Sequence, residues 1–216
     1  MKSCKVWLFD LDNTLHDAAA HIYPHISRAM TRYLQHHLDM EESAANALRL
    51  GYWRRYGATL PGLIKHHGTD PAHFLWHTHQ FASLAELLRW ERGLMTALKR
   101  LPGRKIIFSN APAHYVEQVL RLLKIEKLFE QVFSIDRVGY SPKPQACAFH
   151  RLLRRSRLDA RCCIMVEDQL ENLKAAKKLG MRTVWVNPVP RRTGIVDLCV
   201  RSVLDLPGVA YKLHAR

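Results

Sequence analysis

The chain has 216 residues, 48% of them hydrophobic, enough to bury a full core as one large domain or as a domain with an insertion. It contains no run of about 18 apolar residues, which excludes a membrane-spanning helix. Its formal net charge of +14 suits nucleic acid at first sight. Acidic and basic residues nearly balance between Asp17 and Glu91, however, and the excess gathers in "HRLLRRSRLDAR" (150–161) and "KAAKKLG" (174–180). The Arg and Lys of those runs fall opposite the leucines and alanines, so solvated helix faces account for them and a nucleic-acid partner is not expected.

The N-terminus reaches its first strand within five residues, without the long apolar stretch and small-residue cleavage site of a secretory leader. The five cysteines are odd in number and include no C-x-x-C pair, which argues against a disulfide framework or a zinc knuckle. They read as small, mostly buried thiols of a reducing cytosol, and a cytoplasmic location is expected.

In chain order, "VWLFDLDNTL" (6–15) is a strand running into two aspartates two positions apart. Carboxylates brought that close at the lip of a buried sheet repel each other, and a cation is the usual remedy. Residues 17 to about 95 hold almost no strand-like run. In "IYPHISRAM" and "ASLAELLRWERGLMTALKRL" apolar residues recur every three and four positions, predicting amphipathic helices. "GATLPGL" (57–63) and "HGTDPA" (67–72) read as breaks, with Asp70 as N-cap and Pro71 at the first helical position of the next helix.

After "LPG" (101–103) strands alternate with helices. "KIIFSN", "VFSI", "CCIMVED" and a last strand "RTVWVN" are separated by the helices "AHYVEQVLRLL", "QACAFHRLLRR" and "LENLKAAKKLG", the last closed by Gly180. The strands are continuous apolar runs, as in a parallel sheet covered on both faces. The fold class is therefore α/β: a Rossmann-like doubly wound parallel sheet of residues 1–16 and 96–216, with a helical cap domain of residues 17–95 inserted after the first strand.

Ligands of such sheets bind beyond the carboxyl ends of the strands. There the sequence delivers Asp10, Asp12 and Thr14; Ser109 and Asn110; Lys143 between two prolines; and Glu167 with Asp168. Each is weak evidence alone, but their joint occurrence at strand ends is not. "DLDNT" (10–14), "SN" (109–110), Lys143 and "VEDQ" (166–169) resemble the four ordered motifs of the haloacid dehalogenase superfamily, over the whole chain. "LDNTL" with "YGATLPGL" (56–63) further resembles the pyrimidine 5′-nucleotidase group.

The resemblance implies a Mg²⁺-dependent phosphomonoesterase. Asp10 would be the nucleophile that forms an aspartyl-phosphate, and Asp12 the acid and base. Lys143, Thr14, Ser109 and Asn110 would hold the phosphoryl group or order its loop. Asp10, Asp12 (through its backbone carbonyl) and Asp168 would hold Mg²⁺, with Glu167 and Asn172 behind them; for Asn172 an ordinary helix-start residue is the plainer reading. Dehalogenases of the superfamily lack an acid at the position of Asp12, so an aspartate there favours phosphoryl transfer.

The expected partner is a small phosphorylated metabolite, a nucleoside 5′-monophosphate, with Tyr52, Arg54, Arg55 and Tyr56 as candidate base contacts and Trp53 as cap packing. A sugar-phosphate phosphatase or phosphomutase on the same machinery is the alternative, and a nucleic-acid-binding or regulatory protein a more distant one. His73 and His77, four apart on a helix, read as part of a surface histidine cluster in place of a metal site.

Overall fold

The structure is a computed structural model that describes residues 5–189 and 193–214. Its centre is β1 (Val6–Phe9), four fully buried residues. Trp7 and Phe9 point into one apolar cluster, Val6 and Leu8 into another on the opposite face, the alternation a pleated strand imposes. Among the described residues β1 is joined by β2 (Arg104–Phe108), β3 (Gln131–Phe133), β4 (Cys163–Glu167), β5 (Arg182–Val186) and β6 (Leu198–Val200). All pair in parallel, in the order β3-β2-β1-β4-β5-β6, that of a doubly wound sheet whose direction of winding reverses beside β1.

The sequence indicates five strands; the sheet has six. β6 is a three-residue edge strand, only partly buried, with no long apolar run to announce it. It is tied in by Asp197, whose carboxylate accepts from the Thr183 backbone N–H (2.8 Å) and hydroxyl (2.9 Å).

Helices α1 (Ile22–Leu38), α2 (Glu42–Tyr56), α3 (Thr59–His67) and α4 (Pro71–Thr78) fill the insertion between β1 and β2, followed by a single turn α5 (Leu84–Leu87) and by α6 (Leu94–Arg100). Asp70 caps α4 as expected, its carboxylate accepting from the N–H groups of Ala72 and His73. The break expected at "GATLPGL" is confined to Gly57 and Ala58, which cap α2 and α3, and α3 starts inside the stretch. Pro61 falls in the first turn, where its missing N–H is not needed, and a Cβ on Gly62 would lie 2.2 Å from Cγ of the Tyr52 ring. Gly62 is therefore what lets α2 and α3 touch. Nor is "ASLAELLRWERGLMTALKRL" helical throughout, for Arg89 leaves the helix to bridge the first loop, accepting the Asp17 N–H at 2.7 Å.

Leu94 and Leu98 of α6, with Tyr115, Val116 and Val119 of α7 (Ala113–Leu122), cover the Trp7 face. Phe149 and Leu152 of α8 (Ala146–Ser156), with Leu173 and Ala176 of α9 (Leu170–Lys178), cover the other. Gly180 stands one residue past the Leu179 cap with φ of 88°, a left-handed conformation that suits glycine. The described residues end in another single turn, α10 (Leu206–Val209), and a 3-10 segment. Among the described residues no helix is long and apolar enough to cross a membrane, and Cys147, Cys162 and Cys199 are free thiols.

Candidate active site

The carboxyl ends of β1, β2 and β4 carry the polar residues of the site. Asp10 follows β1 directly and extends its ladder, its N–H donating to the Val166 carbonyl at 3.0 Å. Asn13 takes a positive φ of 62°, which asparagine tolerates, and its side-chain oxygen accepts from the N–H groups of Ala18 and Ala19. This turn sends the chain away from Asp10 and folds Thr14 back over it, so that the Thr14 hydroxyl donates to Asp10 Oδ2 at 3.1 Å.

Lys143 is buried, and its Nζ donates to Asp10 Oδ1 and to Glu167 Oε2, each at 2.7 Å. Its backbone is clamped by Asn110, whose Oδ1 accepts the Lys143 N–H (2.8 Å) while its Nδ2 donates to the Lys143 carbonyl (3.1 Å). Asn110 therefore positions the lysine loop, a use that the sequence does not reveal. Ser109 is buried, its Oγ accepting the Ala111 N–H at 3.0 Å.

Asp10, Glu167 and Asp168 bring carboxylate oxygens within 4.8 Å of one another, the one such cluster of potential metal-binding groups among the described residues. Burial, with repulsion from Glu167, pushes the Asp10 carboxyl up to about 7 despite Lys143. Burial likewise carries Glu167 to about 7 and raises Asp168. Burial alone would lower Lys143, but Asp10 and Glu167 outweigh it and hold the ammonium above its usual range. One lysine facing three acids leaves a surplus of negative charge among hard oxygen donors, which fits a divalent cation such as Mg²⁺. Glu167 touches Lys143 directly. The Asp168 loop is held by Trp185, whose indole N–H donates to the Asp168 carbonyl at 2.8 Å. Asn172 is buried in the first turn of α9.

The side chain of Asp12 lies outside the acidic cluster. Its Oδ1 accepts from the Tyr115 hydroxyl at 2.7 Å and meets His16 Nε2 at 2.9 Å. These bonds outweigh burial and hold its carboxyl below the usual range. Tyr115 comes from α7, and neither it nor His16 is marked by the strand-end pattern. A crevice of about 660 Å³ opens beside the site, lined among others by Thr14, His16, Trp90, Asp168 and Asn187.

The candidate cap contacts divide. The Tyr52 ring packs on Gly62, and its hydroxyl hydrogen-bonds with His67 Nε2 at 2.8 Å, so it is committed to the α2–α3 contact. Tyr56 bonds with His66 Nε2 at 2.7 Å, and Arg54 and Arg55 are exposed. Trp53 is 58% exposed and does not pack the cap interior, contrary to expectation. At the end of α2 the chain meets the lysine loop: a Cβ on Gly57 would lie 3.5 Å from Pro144 Cδ. The His73 and His77 rings lie 4.3 Å apart between centroids, tilted by 50°, beside Tyr33 and His37, outside any metal-binding grouping among the described residues.

A phosphoglycolate phosphatase of Colwellia psychrerythraea is 27% identical over 198 residues, covering 83% of each chain. A glyceraldehyde 3-phosphate phosphatase of Pyrococcus furiosus is 26% identical over 207 residues, 86% of this chain and 81% of that protein. The crystal structure of a HAD phosphatase from Thermococcus onnurineus shares the fold, with a TM-score of 0.63 at 21% identity over 95% of this chain and 97% of the other. Residues 7–186 match the family described as haloacid dehalogenase-like hydrolase, spanning β1 through β5 and every strand-end residue named above. The chain belongs to that family.

Proposed function

We propose that this enzyme, a phosphatase of the haloacid dehalogenase-like family, cleaves small phosphomonoesters by attack of Asp10 on phosphorus. The observation that carries this reading is the buried Asp10 carboxylate, held by Lys143 at one oxygen and Thr14 at the other. A carboxylate fixed at both oxygens in a site with surplus negative charge is arranged for nucleophilic attack once that charge is neutralised.

Attack forms an Asp10–phosphoryl bond and breaks the ester P–O bond. Asp12, held below the usual carboxylate range in the free site, takes up a proton as the anionic phosphate binds and gives it to the leaving oxygen, and later removes a proton from the water that hydrolyses the acyl phosphate. Lys143 places positive charge beside Asp10 and the transferring oxygens, while Ser109 lines the phosphoryl position and Asn110 keeps the lysine there. Mg²⁺, held by Asp10, Asp168 and the Asp12 backbone carbonyl, would neutralise the phosphate and the nucleophile. The helices of residues 17–95 would serve as the cap that covers the leaving group.

For the leaving group, nucleoside 5′-monophosphates are the proposed substrates. Support comes from the exposed Arg54 and Arg55 beside Tyr56, at the end of α2 that abuts the lysine loop. A second reading, short-chain phosphates of the glycolate or glyceraldehyde type, is favoured by the two phosphatase relatives. Release of inorganic phosphate across a panel of nucleoside monophosphates, phosphoglycolate and triose and hexose phosphates separates them. UMP or CMP leading supports the first, a short-chain phosphate leading supports the second, and phosphate moved within a sugar without release identifies a mutase.

A further inference from the structure

Asp12 is held in an unusual way for a group that must exchange protons. Tyr115 Oη and His16 Nε2 converge on the same carboxylate oxygen, Oδ1, at 2.7 and 2.9 Å, and lie 3.5 Å from each other. Among the described residues no side chain bonds Oδ2. Tyr115 is completely buried, and so is the side chain of His16.

Packing alone does not account for these two residues. The Nδ1 atom of His16 is buried without a hydrogen-bond partner, a penalty that an aliphatic side chain in the same space would avoid. Tyr115 arrives from α7, 103 positions along the chain. The helix carrying it is itself fixed by the Ala113 N–H, which donates to Asp136 Oδ1 at 2.9 Å. On its other side the Tyr115 ring meets Phe81 at 5.5 Å and His79 at 5.8 Å between centroids. It is wedged between the acid and the segment returning from the insertion.

We infer that Tyr115 and His16 are positioning residues that fix the Asp12 carboxyl by Oδ1 and present Oδ2 to the leaving oxygen of the ester. The inference rests on the phosphatase reading above and adds residues to it. A general acid works only within hydrogen-bond reach of the oxygen it protonates. Two donors on one carboxylate oxygen remove the rotation about the Cβ–Cγ bond that would carry Oδ2 out of reach.

The consequence depends on the leaving group. An alkoxide needs a proton to depart, whereas p-nitrophenolate leaves without one. The test is kcat/KM, which reports the steps through ester cleavage, for an alkyl phosphate and for p-nitrophenyl phosphate. It is measured in wild type, Tyr115→Phe, His16→Leu and His16→Gln, each checked by thermal melting. Tyr115→Phe keeps the ring and its contacts and deletes only the hydroxyl; His16→Gln retains an N–H donor that His16→Leu lacks.

The expected result is an alkyl-to-aryl ratio of kcat/KM about tenfold lower in Tyr115→Phe and His16→Leu, and largely restored in His16→Gln. Should Tyr115→Phe fail to fold, the His16→Leu and His16→Gln pair decides by the same ratio. A ratio that stays at the wild-type value, whether both esters slow together or neither does, overturns the inference and leaves the phosphatase reading standing. A wild type that cleaves neither ester overturns the two together.

Discussion

Lys143 holds two carboxylates at 2.7 Å in a place that water does not reach. Removing it strands both acids. Replacing Lys143 with Met is expected to abolish phosphate release and to cost roughly 3 kcal/mol or more of stability in urea unfolding near neutral pH. The sign of the pH dependence follows from the acids left behind. Asp10 and Glu167 already sit at about 7 in the folded protein, against 3.8 and 4.5 when free. Folding therefore takes up protons, and the stability loss in Lys143→Met shrinks as pH is lowered to about 5.

His79 behaves oppositely. Burial lowers it from 6.5 to about 4, so the unfolded chain binds a proton that the folded one refuses, and stability is lost as pH falls between those values. His79→Gln, which cannot titrate, is expected to lose less stability than wild type between neutral pH and about pH 4.5, read by thermal melts in parallel buffers.

At this scale the sequence exposes Asp10, Asp12, Lys143, Glu167 and Asp168, because parallel-sheet topology brings strand ends to one rim whatever the loops do. Tyr115 is hidden because its partner is 103 positions away and it looks like any apolar residue of an amphipathic helix. His16 is hidden because an i, i+4 histidine after a strand carries no chemistry until the turn at Asn13 is known.

Among the elements, Gly62 has the most constrained surroundings. Gly62→Ala would drive a methyl group into the Tyr52 ring. It is expected to destabilise by about 1–3 kcal/mol as α3 is pushed from α2, measured by chemical unfolding. The same contact explains why only Gly57 and Ala58 of that stretch leave the helices, although glycine and proline close together signal a longer turn. Here the proline lies in a first helical turn and the glycine under an aromatic ring. The helical reading of 82–101 erred in the other direction: its apolar periodicity continues through Arg89, but the Arg89 carbonyl is taken by the Asp17 N–H of the first loop. Long apolar strands and the α4 cap were legible because each depends on neighbours in sequence. β6 was not, because a three-residue edge strand is made by its partner.

For the whole molecule, the proposed mechanism makes the doubly wound sheet, the insertion after β1 and the rim of acids around one lysine a single device for holding a dianionic group beside a carboxylate. Cation binding belongs to this scale. Mg²⁺ should raise the melting temperature of wild type by linkage, and Asp168→Ala should abolish that shift. In the proposed mechanism Asp10 becomes phosphorylated. This is tested most directly by acid-quenching the enzyme during turnover of its best phosphomonoester and mapping the modified peptide by mass spectrometry, wild type beside Asp10→Asn. One phosphoryl group is expected on the peptide that contains Asp10, and neither adduct nor phosphate release in the variant. Turnover that persists in Asp10→Asn, or a phosphoryl group found on another residue, would contradict it.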